Sequence, residues 1–225
     1  MNKETLTLPG YRELLYRFFA SVFLEEIDSR MLEELLQMRF PQAEGNAAWQ
    51  QDLDAGFRMI ENYLHTFDGK SDTKKKESLE YLAADYAKTF LAAGDATGKA
   101  AFPYESIYVG TDSTFGGSIQ MNLNAIYAAK GLTMREDMFR VMEDHVGLEL
   151  NYMAELLAEE VRVSPDPSAA EKLQTEQKEF FRTHLINWIL LFTQDVYKYA
   201  ELDFYKGIAR AVTGFMEAEQ EFFAE

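Results

Sequence analysis

Leu14-Leu15-Tyr16-Arg17-Phe18-Phe19-Ala20-Ser21-Val22-Phe23 is the stretch whose reading decides the fold class. Its apolar members Leu14, Leu15, Phe18, Phe19, Val22 and Phe23 recur at three- and four-residue spacing, which puts them on one face of a helix. Leu79, Leu82, Tyr86 and Phe90 repeat the pattern, and so do Leu150, Met153, Leu157 and Val161. Thr183 to Tyr199 is dense in apolar residues and is expected near the centre of the fold. Sustained two-residue alternation is missing, so a sheet is not expected. The expected fold is all-α, with about eight to ten helices in a single domain spanning residues 1–225.

The helix breakers are unevenly placed. Of 13 glycines, five fall between Gly94 and Gly117, together with Pro103. Residues 94–118 are therefore expected to form a long Gly-rich loop with one helical turn, lying between the N-terminal and C-terminal helical halves. Pro41 to Asn46 reads as another break, as does Ser164-Pro165-Asp166-Pro167-Ser168 with a helix starting just after it.

Composition removes several classes. The chain has 225 residues, 47% of them hydrophobic, enough for a core without a covalent staple. It has no cysteine, which removes disulfide scaffolds, thiolate metal sites and thiol catalysis. Its longest apolar stretch, Leu185 to Phe192, is broken by Asn187 and is far short of a membrane span. No export signal is visible at the start, so a cytoplasmic protein without membrane insertion is expected. The formal net charge of −16 repels phosphate backbones, so no nucleic-acid partner is expected.

Catalytic motifs are thin. Gly94-Asp95-Ala96-Thr97-Gly98-Lys99-Ala100 has one residue too few for a phosphate loop and no hydroxyl after its lysine. Three residues before His65, His145 and His184 stand Asn62, Met142 and Phe181, so the Glu-x-x-His pattern of helical metal bundles is absent. Asp144, His145 and Glu149 are the most metal-like group, and a metal-dependent hydrolase built on them is the alternative from another class. The other reading of His145 and Glu149 is an i,i+4 pair that orients the imidazole. Ser106 has no nucleophile-elbow setting. The expectation is a binding protein rather than an enzyme, with no cofactor of its own. Tyr86, Phe90, Tyr104 and Tyr108 flank the Gly-rich loop with Asp85 and Glu105 interleaved, and the segment Ala101 to Val109 either plugs the core or walls an apolar groove with carboxylates at its rim.

Met142-Glu143-Asp144-His145-Val146-Gly147-Leu148-Glu149-Leu150-Asn151-Tyr152-Met153 resembles the Asp-His-x-x-x-Glu-Leu-x-aromatic signature of the TorD/DmsD/NarJ-type chaperones. Other segments resemble that family in the same order: Tyr16, Phe19 and Phe23; Asp85-Tyr86 with Phe90; Pro103-Tyr104-Glu105-Ser106 with Tyr108; and His184, Trp188, Phe192, Phe204 and Tyr205. Where the family often has Glu-Pro before Asp-His, this chain has Val141-Met142.

The resemblance implies an all-α cytoplasmic chaperone for a molybdopterin-containing oxidoreductase. It would bind the twin-arginine leader of the apo catalytic subunit, delay its export and assist cofactor insertion. A relative that holds a mature redox subunit without a leader is the alternative within the same class, and either a monomer or a dimer is compatible. The residues it marks for peptide binding are Asp85, Tyr86, Phe90, Pro103, Tyr104, Glu105, Ser106, Tyr108, Asp144, His145, Glu149 and Tyr152. The leader's arginines would meet Asp85, Glu105, Asp144 or Glu149, and His145 would tune release with pH. Asp144 has a second reading, as the cap of the helix that begins near His145.

Overall fold

The structure, a computed structural model, describes residues 7–41, 46–94, 98–110, 115–133 and 141–224. The phosphate-loop-like stretch at 95–97, part of the 94–118 loop at 111–114 and most of the break at 42–45 lie outside the described residues. Ten α-helices account for most of the rest: α1 (Leu8–Leu24), α2 (Ser29–Gln37), α3 (Ala48–His65), α4 (Asp72–Leu91), α5 (Glu105–Val109), α6 (Ser118–Ala129), α7 (Val146–Val163), α8 (Pro167–Phe180), α9 (Ile189–Tyr199) and α10 (Asp203–Ala224). A π-helical turn, Phe181–Leu185, follows α8. Among the described residues there is no strand, only an isolated antiparallel bridge between Tyr104 and His145, so the all-α expectation holds.

The chain divides into two compact units, each assembled from two segments. The first unit takes residues 1–24 and 103–188, and the second takes 25–102 and 189–225.

In the first unit α1 lies along α7. Most of the stripe predicted on α1 is buried: Leu15, Phe19, Val22 and Phe23 are out of solvent, together with Tyr16, while Phe18 is half-buried and Leu14 stays 54% exposed. Closeness at the end of α1 is set by Gly147, where a Cβ would stand 2.5 Å from Leu24 Cγ. A buried polar chain ties α1, α7 and α8 together. Arg12 Nη1 donates to Gln177 Oε1 at 3.2 Å, and Gln177 Nε2 donates to Glu160 Oε2 at 2.7 Å. Helix α8 starts where Asp166 accepts from the Ser168 and Ala169 amides, with Pro167 in the first turn, where its missing N–H costs nothing.

In the second unit α3 and α10 form the principal pair. Their backbones approach at Gly56 and Gly214: a Cβ on Gly56 would lie 2.4 Å from the Ala211 amide nitrogen, and one on Gly214 2.5 Å from Leu53 N. Arg210 Nε to Asp52 Oδ1 at 2.9 Å and Trp49 Nε1 to Glu221 Oε2 at 2.8 Å flank the contact.

Candidate functional site

The site in the first unit begins with a backbone crossing. Pro103 to Glu105 runs antiparallel to Asp144 to Val146, with Val146 N donating to Pro103 O and Glu105 N to Asp144 O, both at 2.9 Å. The Asp144 carboxylate then accepts from the Ser106 amide at 3.2 Å. Asp144 therefore caps α5, not the helix that follows it. The cap of α7 is His145, whose Nδ1 accepts from Gly147 N at 3.0 Å. That hydrogen bond needs an unprotonated Nδ1, and burial pushes the imidazole pKa down to about 3. Burial and the cap on Gly147 both favour the neutral imidazole, which argues against the pH-tuned release read for His145 from the sequence. Tyr104 stacks edge-on against it, ring centroids 5.1 Å apart.

Behind this crossing lies a buried acidic cell. Glu105 Oε2 sits 2.9 Å from His184 Nδ1. Glu149 Oε2 accepts from Trp188 Nε1 at 3.1 Å. Among the described residues neither Asp144 Oδ1 nor Glu149 Oε1 meets an N–H or hydroxyl donor, and Glu149 lies against the Glu105 carboxyl. Burial first, then the charges of Glu105 and Asp144, raise the Glu149 carboxyl well above its ordinary range. These surroundings favour the protonated form of Glu149, and the i,i+4 pairing read between it and His145 does not form: each has a different partner.

Three of the carboxylates expected to meet arginines, Glu105, Asp144 and Glu149, are shut inside this cell, at 2%, 0% and 0% exposure. The Ser106 hydroxyl accepts from Gly116 N at 2.8 Å, a backbone partner rather than a histidine. Among the described residues no three His, Asp or Glu side chains gather in a way that holds a metal ion.

Next to the cell is an open groove of about 300 Å³. It is lined by Asn122 and Ile126 of α6, Tyr152 of α7, Glu176, Glu179 and Phe180 of α8, and Thr183 and His184 of the π-helical turn. A chain of rings backs it, with Tyr152, Phe180 and His184 at 3%, 4% and 5% exposure: Tyr127 to Tyr152 at 5.2 Å, Tyr152 to Phe180 at 4.5 Å and Phe180 to His184 at 5.2 Å between centroids. Tyr152 donates its hydroxyl to Glu176 Oε1 at 2.8 Å, and burial followed by that bond raises its pKa. The groove is apolar in its wall and carboxylate at its rim. His184 joins it to the acidic cell, with its ring against Phe180 and its Nδ1 on Glu105.

Of the residues singled out in the sequence, Tyr152 lines this groove. Pro103, Tyr104, Glu105, Ser106, Asp144, His145 and Glu149 build the frame behind it, and Tyr108 packs half-buried on Trp188 at 5.5 Å. Ile126, Glu176, Glu179 and Phe180 were not anticipated. The π-helical turn, of a kind often found at functional sites, sets Thr183 and His184 side by side on the wall.

Asp85, Tyr86 and Phe90 belong to the second unit. The Asp85 carboxylate accepts from Glu201 N at 2.9 Å and Leu202 N at 2.8 Å, holding the start of α10. Tyr86 and Phe90 are buried against Tyr205, at 6.1 and 5.6 Å between centroids. The sequence placed a ligand-facing carboxylate here; the fold uses Asp85 as a backbone acceptor.

Comparison with known proteins finds relatives of this chain. Residues 46–194 match the family model described as nitrate reductase delta subunit. Among curated proteins, the chain is 21% identical over 221 residues to the chaperone protein TorD of Vibrio cholerae, covering 98% of this chain and 95% of that one. It is 25% identical over 232 residues to the chaperone protein TorD of Shewanella pealeana, with the same coverage. Among solved structures, it superposes with a TM-score of 0.51 and 18% identity on a protein from Archaeoglobus fulgidus described as a redox enzyme maturation protein, covering 97% of this chain and 99% of that one; this likeness speaks for the fold.

Proposed function

The chain belongs to the nitrate reductase delta subunit family, the TorD/NarJ type of redox-enzyme maturation chaperone, and from that premise we propose that it escorts the apo catalytic subunit of a molybdoenzyme by holding its twin-arginine leader. The leader lies in the groove beside Tyr152, export waits while it is held, and the cofactor is inserted meanwhile. The observation that carries this reading is the groove's mixed lining: half-buried Ile126 and the edges of the largely buried Tyr152 and Phe180 rings, with the exposed rim carboxylate Glu179 and the half-buried Glu176. A twin-arginine leader has the complementary form, an arginine pair followed by an apolar stretch.

The magnitudes suit a reversible escort. Burying ~400–600 Å² of leader apolar surface supplies roughly 10–15 kcal/mol gross. Ordering a flexible peptide and removing its free motion offset most of that, leaving affinity near micromolar. The net charge of −16 draws a cationic leader in and speeds encounter. Pro103 to Tyr108 and the Asp144–Glu149 turn act as the rigid frame that fixes His184 and Tyr152 in the wall.

The deciding experiment is co-purification of the chain with its client from native lysate, with the leader intact, with its arginines replaced by glutamine, and with the leader deleted. Capture that depends on the leader supports the reading. Equal capture of the leaderless subunit overturns it in favour of a chaperone for the mature subunit.

A further inference from the structure

The acidic cell and the groove meet at His184. On the groove side its ring lies against Phe180, with Thr183 beside it on the wall; on the other side its Nδ1 stands 2.9 Å from Glu105 Oε2. From Glu105 the contacts close a circuit. The Glu149 carboxyl lies against that of Glu105, Glu149 Oε2 accepts from Trp188 Nε1 at 3.1 Å, and the same indole N–H reaches back to His184 O at 2.6 Å. Helix α5, helix α7 and the π-helical turn are thus joined through two carboxyls, one imidazole and one indole.

The two carboxyls are both buried. Besides Glu105, the groups that face Glu149 are Asp144 from the turn before α7, Tyr127 from α6 and Trp188, while His145 turns to Gly147 N. None of these brings a fixed cation. Carboxyls in contact and away from water hold one proton between them, because a second negative charge would have to form beside the first. Glu149 Oε1 meets no N–H or hydroxyl donor among the described residues, which suits an oxygen that carries such a proton toward Glu105.

We infer that Glu149 is a positioning residue of the groove wall: it shares one proton with Glu105, and while that proton is held the pair keeps His184 and the π-helical turn in place. Loss of the proton sets two anions against each other. Helix α5 is pinned by Glu105 N to Asp144 O and by Ser106 N to the Asp144 carboxylate, and α7 packs along α1. The part that yields is then the short turn Phe181–Leu185, which carries His184 and Thr183. The inference concerns the wall itself and holds whatever the groove takes.

The test follows the full chain from about pH 5 to 9 as wild type, Glu149→Gln and Glu105→Gln, each first checked for an unchanged far-ultraviolet spectrum. The chain has two tryptophans, so Trp49→Phe assigns the indole N–H resonance of Trp188. Hydrogen exchange of the π-helical turn is measured alongside, corrected for the intrinsic effect of pH, with α10 of the other unit as reference. In the wild type the Trp188 resonance is expected to titrate with a midpoint above the ordinary carboxyl range. Protection of the turn relative to α10 should fall by up to about tenfold per pH unit below that midpoint and level off beyond it, the behaviour of one proton lost on opening. In Glu149→Gln both responses should vanish, and in Glu105→Gln the midpoint should move down. A wild-type Trp188 resonance that does not titrate overturns the shared proton, even if neither variant folds. A titration with flat protection at the turn overturns the positioning role. Equal slopes in wild type and Glu149→Gln place the titrating group elsewhere and overturn the assignment to Glu149.

Discussion

Glu105 Oε2 and His184 Nδ1 stand 2.9 Å apart with side chains only 3% and 7% exposed, and 79 residues of chain separate them. This contact holds the π-helical turn against the start of α5. Removing the carboxylate leaves a buried imidazole nitrogen without its partner, whereas an amide can still accept from it. Glu105→Ala is therefore expected to lower stability by about 2–4 kcal/mol and Glu105→Gln by less than half as much, measured by urea unfolding. Equal losses would mean that the pair contributes packing alone.

Glu149 makes stability depend on pH in a direction unusual for a carboxyl. Its folded pKa is raised above the unfolded value, so the native state binds the extra proton. That contribution is complete below the unfolded pKa and is lost as pH rises toward the folded one. Glutamine copies the protonated acid, accepts from Trp188 and does not titrate. The stability of Glu149→Gln relative to wild type is expected to grow as pH is raised from about 4.5 to neutrality. A difference that stays flat, or shrinks, would show that Glu149 is ionised in the fold.

His145 gives the opposite slope. Its folded pKa of about 3 lies below the ordinary 6.5, so its contribution is complete above 6.5 and is lost as pH falls toward 3. Protonation at Nδ1 also removes the cap on Gly147. Asparagine can cap a helix without titrating. His145→Asn is expected to cost about 1 kcal/mol near neutral pH, where the ring contact with Tyr104 is lost, and to close that gap below pH 6. A pH series of denaturant midpoints for the two proteins reads this directly.

The helices were legible because their periodicity is local: the stripes on α1, α4 and α7 follow from residue spacing alone. The roles of the signature carboxylates were not. Asp144 was read as a cap for its own helix or a peptide contact, yet it accepts from an amide 38 residues earlier. Asp85 accepts from amides 116 and 117 residues later. Nothing local distinguishes a carboxylate that waits for a ligand from one that satisfies the unpaired N–H groups of a distant helix start. The groove was half legible. Tyr152 stood in the family signature and His184 in the C-terminal pattern, but Glu176, Glu179 and Phe180 come from a largely polar helix with no motif of its own.

Asp85 offers a test in the second unit. Its two short hydrogen bonds to Glu201 N and Leu202 N pin the two residues that lead into α10. Asp85→Ala strands both and is expected to cost about 2–3 kcal/mol, with Asp85→Asn recovering about half. Hydrogen exchange at the first turn of α10 should rise in step with the loss. Protection that is unchanged there would place the effect elsewhere.

The groove separates apolar from ionic recognition at two positions. Ile126 is half-buried and lines the wall, so shortening it removes apolar contact without opening the core. Ile126→Ala takes away three side-chain carbons, enough at a half-buried position to weaken leader binding by roughly tenfold, mostly through faster dissociation. Glu179 is exposed on the rim, where a solvated ion pair contributes at most about 1 kcal/mol. Glu179→Gln is expected to weaken binding by less than about fivefold, mostly through slower association. Raising salt from about 0.1 to 0.3 M shortens the screening length and should slow association while sparing most of the affinity. Stopped-flow traces with a labelled leader resolve both rates. Should Glu179→Gln or salt cost more than Ile126→Ala, the carboxylate rim rather than the aromatic wall sets the affinity.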